Sequence, residues 1–178
     1  MNAPRQLFGL YLLFCLSSPV LAQRRSDPLT PGEIDQLRDA AMEPEPRMKL
    51  YVGFARARLV KLEQMRADPR VTDRAHQTHA MLDEFLTIYN ELNDNLDNFE
   101  GRNADLRKAL KVVIEGDTEF QAKLRAIKAD PRSSKEESNE YEFVLSNAIE
   151  TVDSAVDDHR KMMTEQEEIW RHRKKEKS

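Results

Sequence analysis

The sequence predicts an all-α protein, an antiparallel up-down-up-down four-helix bundle of two helical hairpins, with a short helix before it and a long C-terminal helix. Three observations support this class. Apolar residues recur at three- and four-residue spacing, residues of high helix propensity lie between them, and Gly and Pro interrupt the pattern at few places. Because short connections make consecutive helices antiparallel neighbours, four long periodic segments predict a bundle.

The first 22 residues have the pattern of an export signal. Arg5 gives a weakly basic start, residues 7–16 (LFGLYLLFCL) form an apolar run, and residues 20–22 (VLA) end in a small residue suited to cleavage. We expect a signal peptide over 1–22 that is cleaved, with retention as an anchor as the alternative, and a mature protein that is periplasmic or extracellular. Cleavage removes Cys15, the single cysteine, so we expect no disulfide.

The segment over residues 23–45 is predicted to contain a short helix at 31–42. Thr30 is a suitable N-cap, Pro31 suits the first helical position, and Glu33 completes a capping box with Thr30. A run rich in Glu and Pro then separates this helix from the bundle.

The bundle is predicted over residues 46–174, and its first helix begins at the proline that opens this range. The second long helix is predicted over about 70–99, with Gly101 as its C-terminal stop and Asn103 as the N-cap of the third. The last helix is predicted over about 134–174, which makes it roughly 60 Å long. It should extend beyond its neighbours.

A four-residue turn sequence occurs twice. Residues 67–70 and 129–132 both read Ala-Asp-Pro-Arg, 62 residues apart. Asp-Pro is a compact way to end one helix and begin another, because Asp can cap and proline fits the first turn. The repeat predicts two helical hairpins, which arose either by duplication or by convergent turn chemistry.

The apolar stripes of the predicted helices are narrow, so the sequence does not decide whether one chain or two chains complete the core. Either one chain completes the bundle, or two extended hairpins complete their cores in a homodimer. The long last helix also offers a surface to an unknown protein partner.

His76 and His79 lie one helical turn apart, and Asp83 extends them to a stripe that could bind zinc or copper. This stripe points largely away from the predicted core, so a solvent-exposed polar face is the alternative. His159 instead falls on the apolar stripe of the last helix, where we expect a hydrogen-bonded core-edge histidine or a pH-responsive packing element. Asp117 interrupts the seam of the third helix, and the neighbouring Gly116 indicates a kink or a close helix contact.

The formal net charge of −4 opposes a role in nucleic-acid binding. The basic tail at residues 171–178 complements a helix dipole, and it can also make weak contact with an anionic surface. No transmembrane span is predicted after signal cleavage.

Residues 29–33 (LTPGE) resemble the Leu-Thr-x-x-Gln motif of the small periplasmic helical chaperones and metal-stress proteins of the Spy and CpxP type, with Glu33 in place of the Gln. The resemblance covers these five residues once, and it implies an exported, all-helical protein.

The sequence contains no Ser-His-Asp order, Gly-rich phosphate loop, Walker pattern or haem-attachment motif. We therefore predict no catalytic residue, no cofactor and no enzyme. The expected function is a non-catalytic interaction or structural role in the cell envelope or extracellular space. The alternative is a periplasmic chaperone-like or metal-binding stress protein.

Overall fold

The computed structural model describes residues 27–176, and within this range it contains helices and no strand. The five helices are α1 (Pro31–Asp39), α2 (Pro44–Ala67), α3 (Arg74–Gly101), α4 (Arg107–Lys128) and α5 (Lys135–Glu176). The all-α class is confirmed. The signal peptide predicted over 1–22 lies outside the described residues. Among the described helices, none combines the length and the hydropathy that a membrane crossing requires.

The start of α1 follows the sequence prediction. The backbone N–H of Glu33 donates to Thr30 Oγ1 at 3.3 Å, and the backbone N–H of Thr30 donates to Glu33 Oε2 at 2.8 Å. The predicted capping box is therefore confirmed. The helix ends at Asp39, three residues earlier than expected, and α2 begins at Pro44, two residues earlier than expected. A proline in the first turn costs no hydrogen bond, because that N–H has no intrahelical partner.

The connection between α3 and α4 differs from the prediction. Gly101 is not the stop but the last residue of α3, and Asn103 is not an N-cap. Asn103 instead takes a left-handed conformation with φ of 57°, and its backbone N–H donates to the carbonyl of Glu100 at 2.8 Å. Asn tolerates this conformation better than most residues, so it closes α3 where glycine was expected. The N-cap residue of α4 is Leu106.

Each of the four long helices packs against two others. α2 contacts α3 and α4, α5 contacts α3 and α4, and the short α1 packs on α2. α3 and α4 are consecutive in the chain but do not pack side by side, so the expectation that all consecutive helices are neighbours is wrong for this pair. Their aromatic side chains still meet in the core, where the ring centroid of Phe120 lies 5.3 Å from that of Phe85 and 6.0 Å from that of Tyr89.

Equivalent positions of α2 and α4 lie beside each other. Three ion pairs join α2 to α4: Glu45–Lys108, Arg56–Glu119 and Glu63–Lys123. From one pair to the next, the residue numbers of both partners increase, so the two helices run in the same direction. Their separations in sequence are close to the 62-residue offset of the Ala-Asp-Pro-Arg repeat. In both copies of that repeat the Asp carboxylate accepts hydrogen bonds from the backbone and the guanidinium of the Arg two residues later. The sequence repeat is therefore also a repeat of turn structure.

A single apolar core runs through the chain, with buried residues from all five helices. Gly116 marks the closest approach of α4 to α2. A Cβ atom at this position would lie 2.9 Å from Val52 Cγ1, which is closer than real Cβ contacts allow. The interpretation of Gly116 as a site of close helix contact is confirmed.

Candidate interaction surface and polar clusters

The structure places the predicted metal ligands on the outer face of α3. His76 and His79 are exposed, and Asp83 is half-buried. His76 Nδ1 lies 3.9 Å from Glu140 Oε1 of α5. Among residues 27–176, no three or more His, Cys, Asp and Glu side chains are grouped so that they could hold a metal ion. The metal site at His76, His79 and Asp83 stays a prediction, without a ligand cluster to support it.

A polar cluster lies inside the bundle, where α3, α4 and α5 meet. The hydroxyl of Tyr89 donates to Asp117 Oδ1 at 2.7 Å, and His159 Nδ1 lies 2.8 Å from Asp117 Oδ2. The residue Asp117 is 1% exposed and His159 is 4% exposed. Burial, reinforced by the nearby Asp117 carboxylate, holds the pKa of Tyr89 far above its ordinary value, so the phenol remains a neutral donor.

This cluster confirms the prediction of a hydrogen-bonded histidine at position 159. A carboxylate paired with an imidazole also occurs in catalytic sites, and here both groups are buried. Each carboxylate oxygen of Asp117 has a partner. The cluster therefore fixes the positions of three helices relative to one another.

A second enclosed cluster surrounds Arg66, near the end of α2. Its guanidinium donates to Asp130 Oδ2 at 3.0 Å, Ser133 Oγ at 2.7 Å, Thr78 Oγ1 at 3.2 Å and the hydroxyl of Tyr141 at 3.3 Å. The guanidinium also lies over the Tyr141 ring, 5.3 Å from its centroid. Asp130, Ser133 and Tyr141 all come from the second half of the chain. Arg66 therefore joins α2 to α5 and to the connection between α4 and α5, a role that the sequence did not predict.

The end of α5 is the least covered part of any described helix. Gln166 is its last buried residue, and the side-chain oxygen of Gln166 accepts a hydrogen bond from the backbone N–H of Leu106 at 3.3 Å. Every residue over 167–176 is exposed. Two of these residues are large and apolar, Ile169 at 43% exposure and Trp170 at 37%. This exposed end of α5 is a candidate interaction surface.

A groove of about 490 Å³ lies between the start of α4 and the end of α5. We call it the basic groove. Five basic side chains, two acidic side chains and one indole line it: Arg107, Lys108, Lys111, Arg171, Lys174, Asp105, Glu167 and Trp170.

Three side chains fix one wall of the basic groove. The guanidinium of Arg107 donates to both carboxylate oxygens of Asp105, at 2.9 and 2.8 Å, and lies over the Trp170 ring, 4.0 Å from its centroid. Hydrogen bonding from Arg107, and to a lesser extent from the Trp170 indole, lowers the pKa of Asp105. The ionised Asp105 therefore orients Arg107 against Trp170, which holds the end of α5 against the start of α4.

Only the α5 side of this groove was predicted from the sequence. The sequence identified the basic tail at 171–178 but not the cations of α4, because the pairing of one helix start with another helix end depends on the packing of the bundle. Lys108 and Lys111, one turn apart on α4, were the available signal.

No family model matches this sequence, and no curated protein or solved structure matches it either.

Proposed function

We propose that this protein is an exported, non-catalytic interaction or structural protein of the cell envelope or extracellular space, which contacts its partner through the end of α5. The observation that carries the proposal is the exposure of residues 167–176 as a continuous helix beyond the last buried residue, Gln166. Residues 167–176 are exposed and contact α4 through the stacking of Trp170 on Arg107, and a helix end with so little packing gains little stability from its own turns. A contact surface gives its length a physical reason. The signal-like pattern over 1–22 supports export.

We further propose that the chain is an up-down-up-down bundle of two antiparallel hairpins. Opposite ends of helices meet within each hairpin, in the pairs Arg47–Asn95 and Arg66–Thr78 for α2 and α3, and Leu106–Gln166 and Gln121–Asp153 for α4 and α5. Equivalent ends meet between hairpins, as in the ion pair of Arg74 with Glu137. In this arrangement α3 and α4 are diagonal to each other. The exposed end of α5 then lies beside the start of α4 and the end of α3.

The polar clusters support a non-catalytic role. The groups that could act in acid–base chemistry, Asp117 and His159, are enclosed and satisfied by each other. The partner is either another protein or a second copy of this chain.

Photo-crosslinking tests the proposal. A photo-reactive phenylalanine analogue replaces Ile169 at the end of α5 or, as a control, Asp157, which is also exposed on α5 but precedes Gln166. The full chain is irradiated in producing cells. We expect an adduct from position 169 that is absent from position 157. An adduct of twice the chain mass identifies a second copy, and any other mass identifies a different protein. Equal adducts from both positions, or none from position 169, contradict the proposal.

The alternative role, a chaperone-like or metal-binding stress protein, has a direct test at α3. Because the described residues offer no ligand cluster, we expect added zinc to leave the melting temperature unchanged. A rise in melting temperature that the double variant His76→Ala, His79→Ala removes would support the metal-binding alternative instead.

A further inference from the structure

We infer that the basic groove binds a linear phosphate polymer, and that this polymer is a ligand of the surface proposed above. The inference rests on the proposed contact role of the end of α5 and adds the chemistry of what binds there. The two can fail separately, because the crosslinking experiment detects a protein partner and the experiment below detects a polyanion.

The basic groove brings together cations from two helices, although the chain as a whole has a net charge of −4. Among residues 27–176, no ion pair engages Lys111, Arg171 or Lys174, whereas many other basic residues of the chain have a carboxylate partner. Like charges held together repel one another, so this grouping costs stability unless an anion binds between them.

The donors of the groove are side chains from both helices. At the start of α4 the Asp105 carboxylate already accepts from the backbone N–H of Arg107 at 3.2 Å, and Gln166 Oε1 accepts from that of Leu106 at 3.3 Å. An anion in the groove is therefore held by the cationic side chains rather than by the helix start. Arg171 supplies a planar donor fork that matches phosphate oxygens, and Lys111 and Lys174 supply mobile point charges.

The cations line a groove of about 490 Å³ between two helices, with Arg107, Lys108 and Lys111 on α4 and Arg171 and Lys174 on α5. A groove suits a narrow chain of closely spaced anionic groups, which can contact both helices at once. A membrane surface is flat and would reach mainly the α5 side. A phosphate polymer also has more charge per unit length than a carboxylate polysaccharide, so it matches the dense cluster of cations best.

The fluorescence of Trp170 can report the binding of an anion in the groove. Trp170 is the single tryptophan of the chain, and it stacks against Arg107 in the groove wall. An anion that draws Arg107 away from the indole, or that covers the indole, changes its fluorescence. The probe is long-chain inorganic polyphosphate, titrated against the full chain at several salt concentrations. We expect a saturable fluorescence change, and an affinity that falls steeply as salt rises.

A charge-matched pair of variants tests the location of the site. Lys111→Gln with Lys174→Gln removes two groove cations, and Lys61→Gln with Lys128→Gln removes two exposed lysines outside the groove. We expect the groove variant to lose at least about tenfold in affinity at low salt and to reduce the salt slope by about two, with the control close to wild type. Far-UV circular dichroism checks that both variants fold.

Two further probes test the chemistry. Vesicles of anionic phospholipid and the sulfated polysaccharide heparin replace polyphosphate in parallel titrations. Weaker binding of both probes supports the inference. The inference is overturned if polyphosphate gives no fluorescence change, if the groove variant and the control variant lose affinity equally, or if vesicles or heparin bind as tightly as polyphosphate with the same dependence on Lys111 and Lys174.

Discussion

Replacing Asp117 with alanine should be among the most damaging single substitutions in the bundle. The carboxylate accepts from the Tyr89 hydroxyl at 2.7 Å and lies 2.8 Å from His159 Nδ1, and all three side chains are buried. Asp117→Ala leaves both partners without a hydrogen bond, and each unsatisfied buried group costs about 1–3 kcal/mol. We therefore expect a loss of about 2–6 kcal/mol, which is a large part of the 5–15 kcal/mol that typically stabilises a domain.

Urea unfolding followed by far-UV circular dichroism measures this loss. Asp157→Ala is the matched control, because it makes the same chemical change at an exposed position of α5 and should cost less than about 0.5 kcal/mol. Tyr89→Phe removes one of the two partners, so the double variant with Asp117→Ala should lose at least about 1 kcal/mol less than the sum of the single losses. If Asp117→Ala costs less than about 1 kcal/mol, or if the double variant is strictly additive, the cluster does not stabilise the bundle as argued.

Two further predictions concern helix contacts. Gly116→Ala should destabilise the chain by about 1–2 kcal/mol, because its Cβ would lie 2.9 Å from Val52 Cγ1, and Val52→Ala should recover part of the loss. Gly53→Ala, with nothing within 4 Å of its Cβ, should instead stabilise by about 0.5–1 kcal/mol, and urea unfolding that shows equal effects would contradict this contrast. The Arg58 guanidinium lowers the pKa of Glu33 from 4.5 to about 2, so the ion pair stabilises the fold above pH 4.5 and is lost as pH falls towards 2. Wild type should therefore lose up to about 2 kcal/mol more than Glu33→Gln over that interval, and parallel pH profiles would refute the assignment.

The local features of the fold could be predicted from the sequence. The capping box of Thr30 with Glu33 depends on residues three apart, and its geometry follows from the residue types. The helical class follows equally from spacing within each segment. The left-handed Asn103 was missed because Gly101 and Asn103 are both plausible stops, and the packing that follows chooses between them.

The features that depend on helix packing could not be predicted. Asp117 and His159 each stood out as polar residues on apolar stripes, but they lie 42 residues apart and their pairing requires the register of α4 against α5. Sequence periodicity determines the face of a helix and not its neighbour. For the same reason the tail cations were noticed while Lys108 and Lys111 were not.

The position of Arg66 has a consequence for the order of folding. Because Asp130, Ser133 and Tyr141 hold its guanidinium, and because α4 and α5 cover the apolar faces of α2 and α3, a chain synthesised only as far as α3 has an incomplete interior. Such a half-chain exposes the apolar surfaces that α4 and α5 cover in the full chain, so we expect stable folding only once α4 and α5 have been made. The export proposed above would benefit from such a delay, since a premature compact half could not be threaded through a membrane.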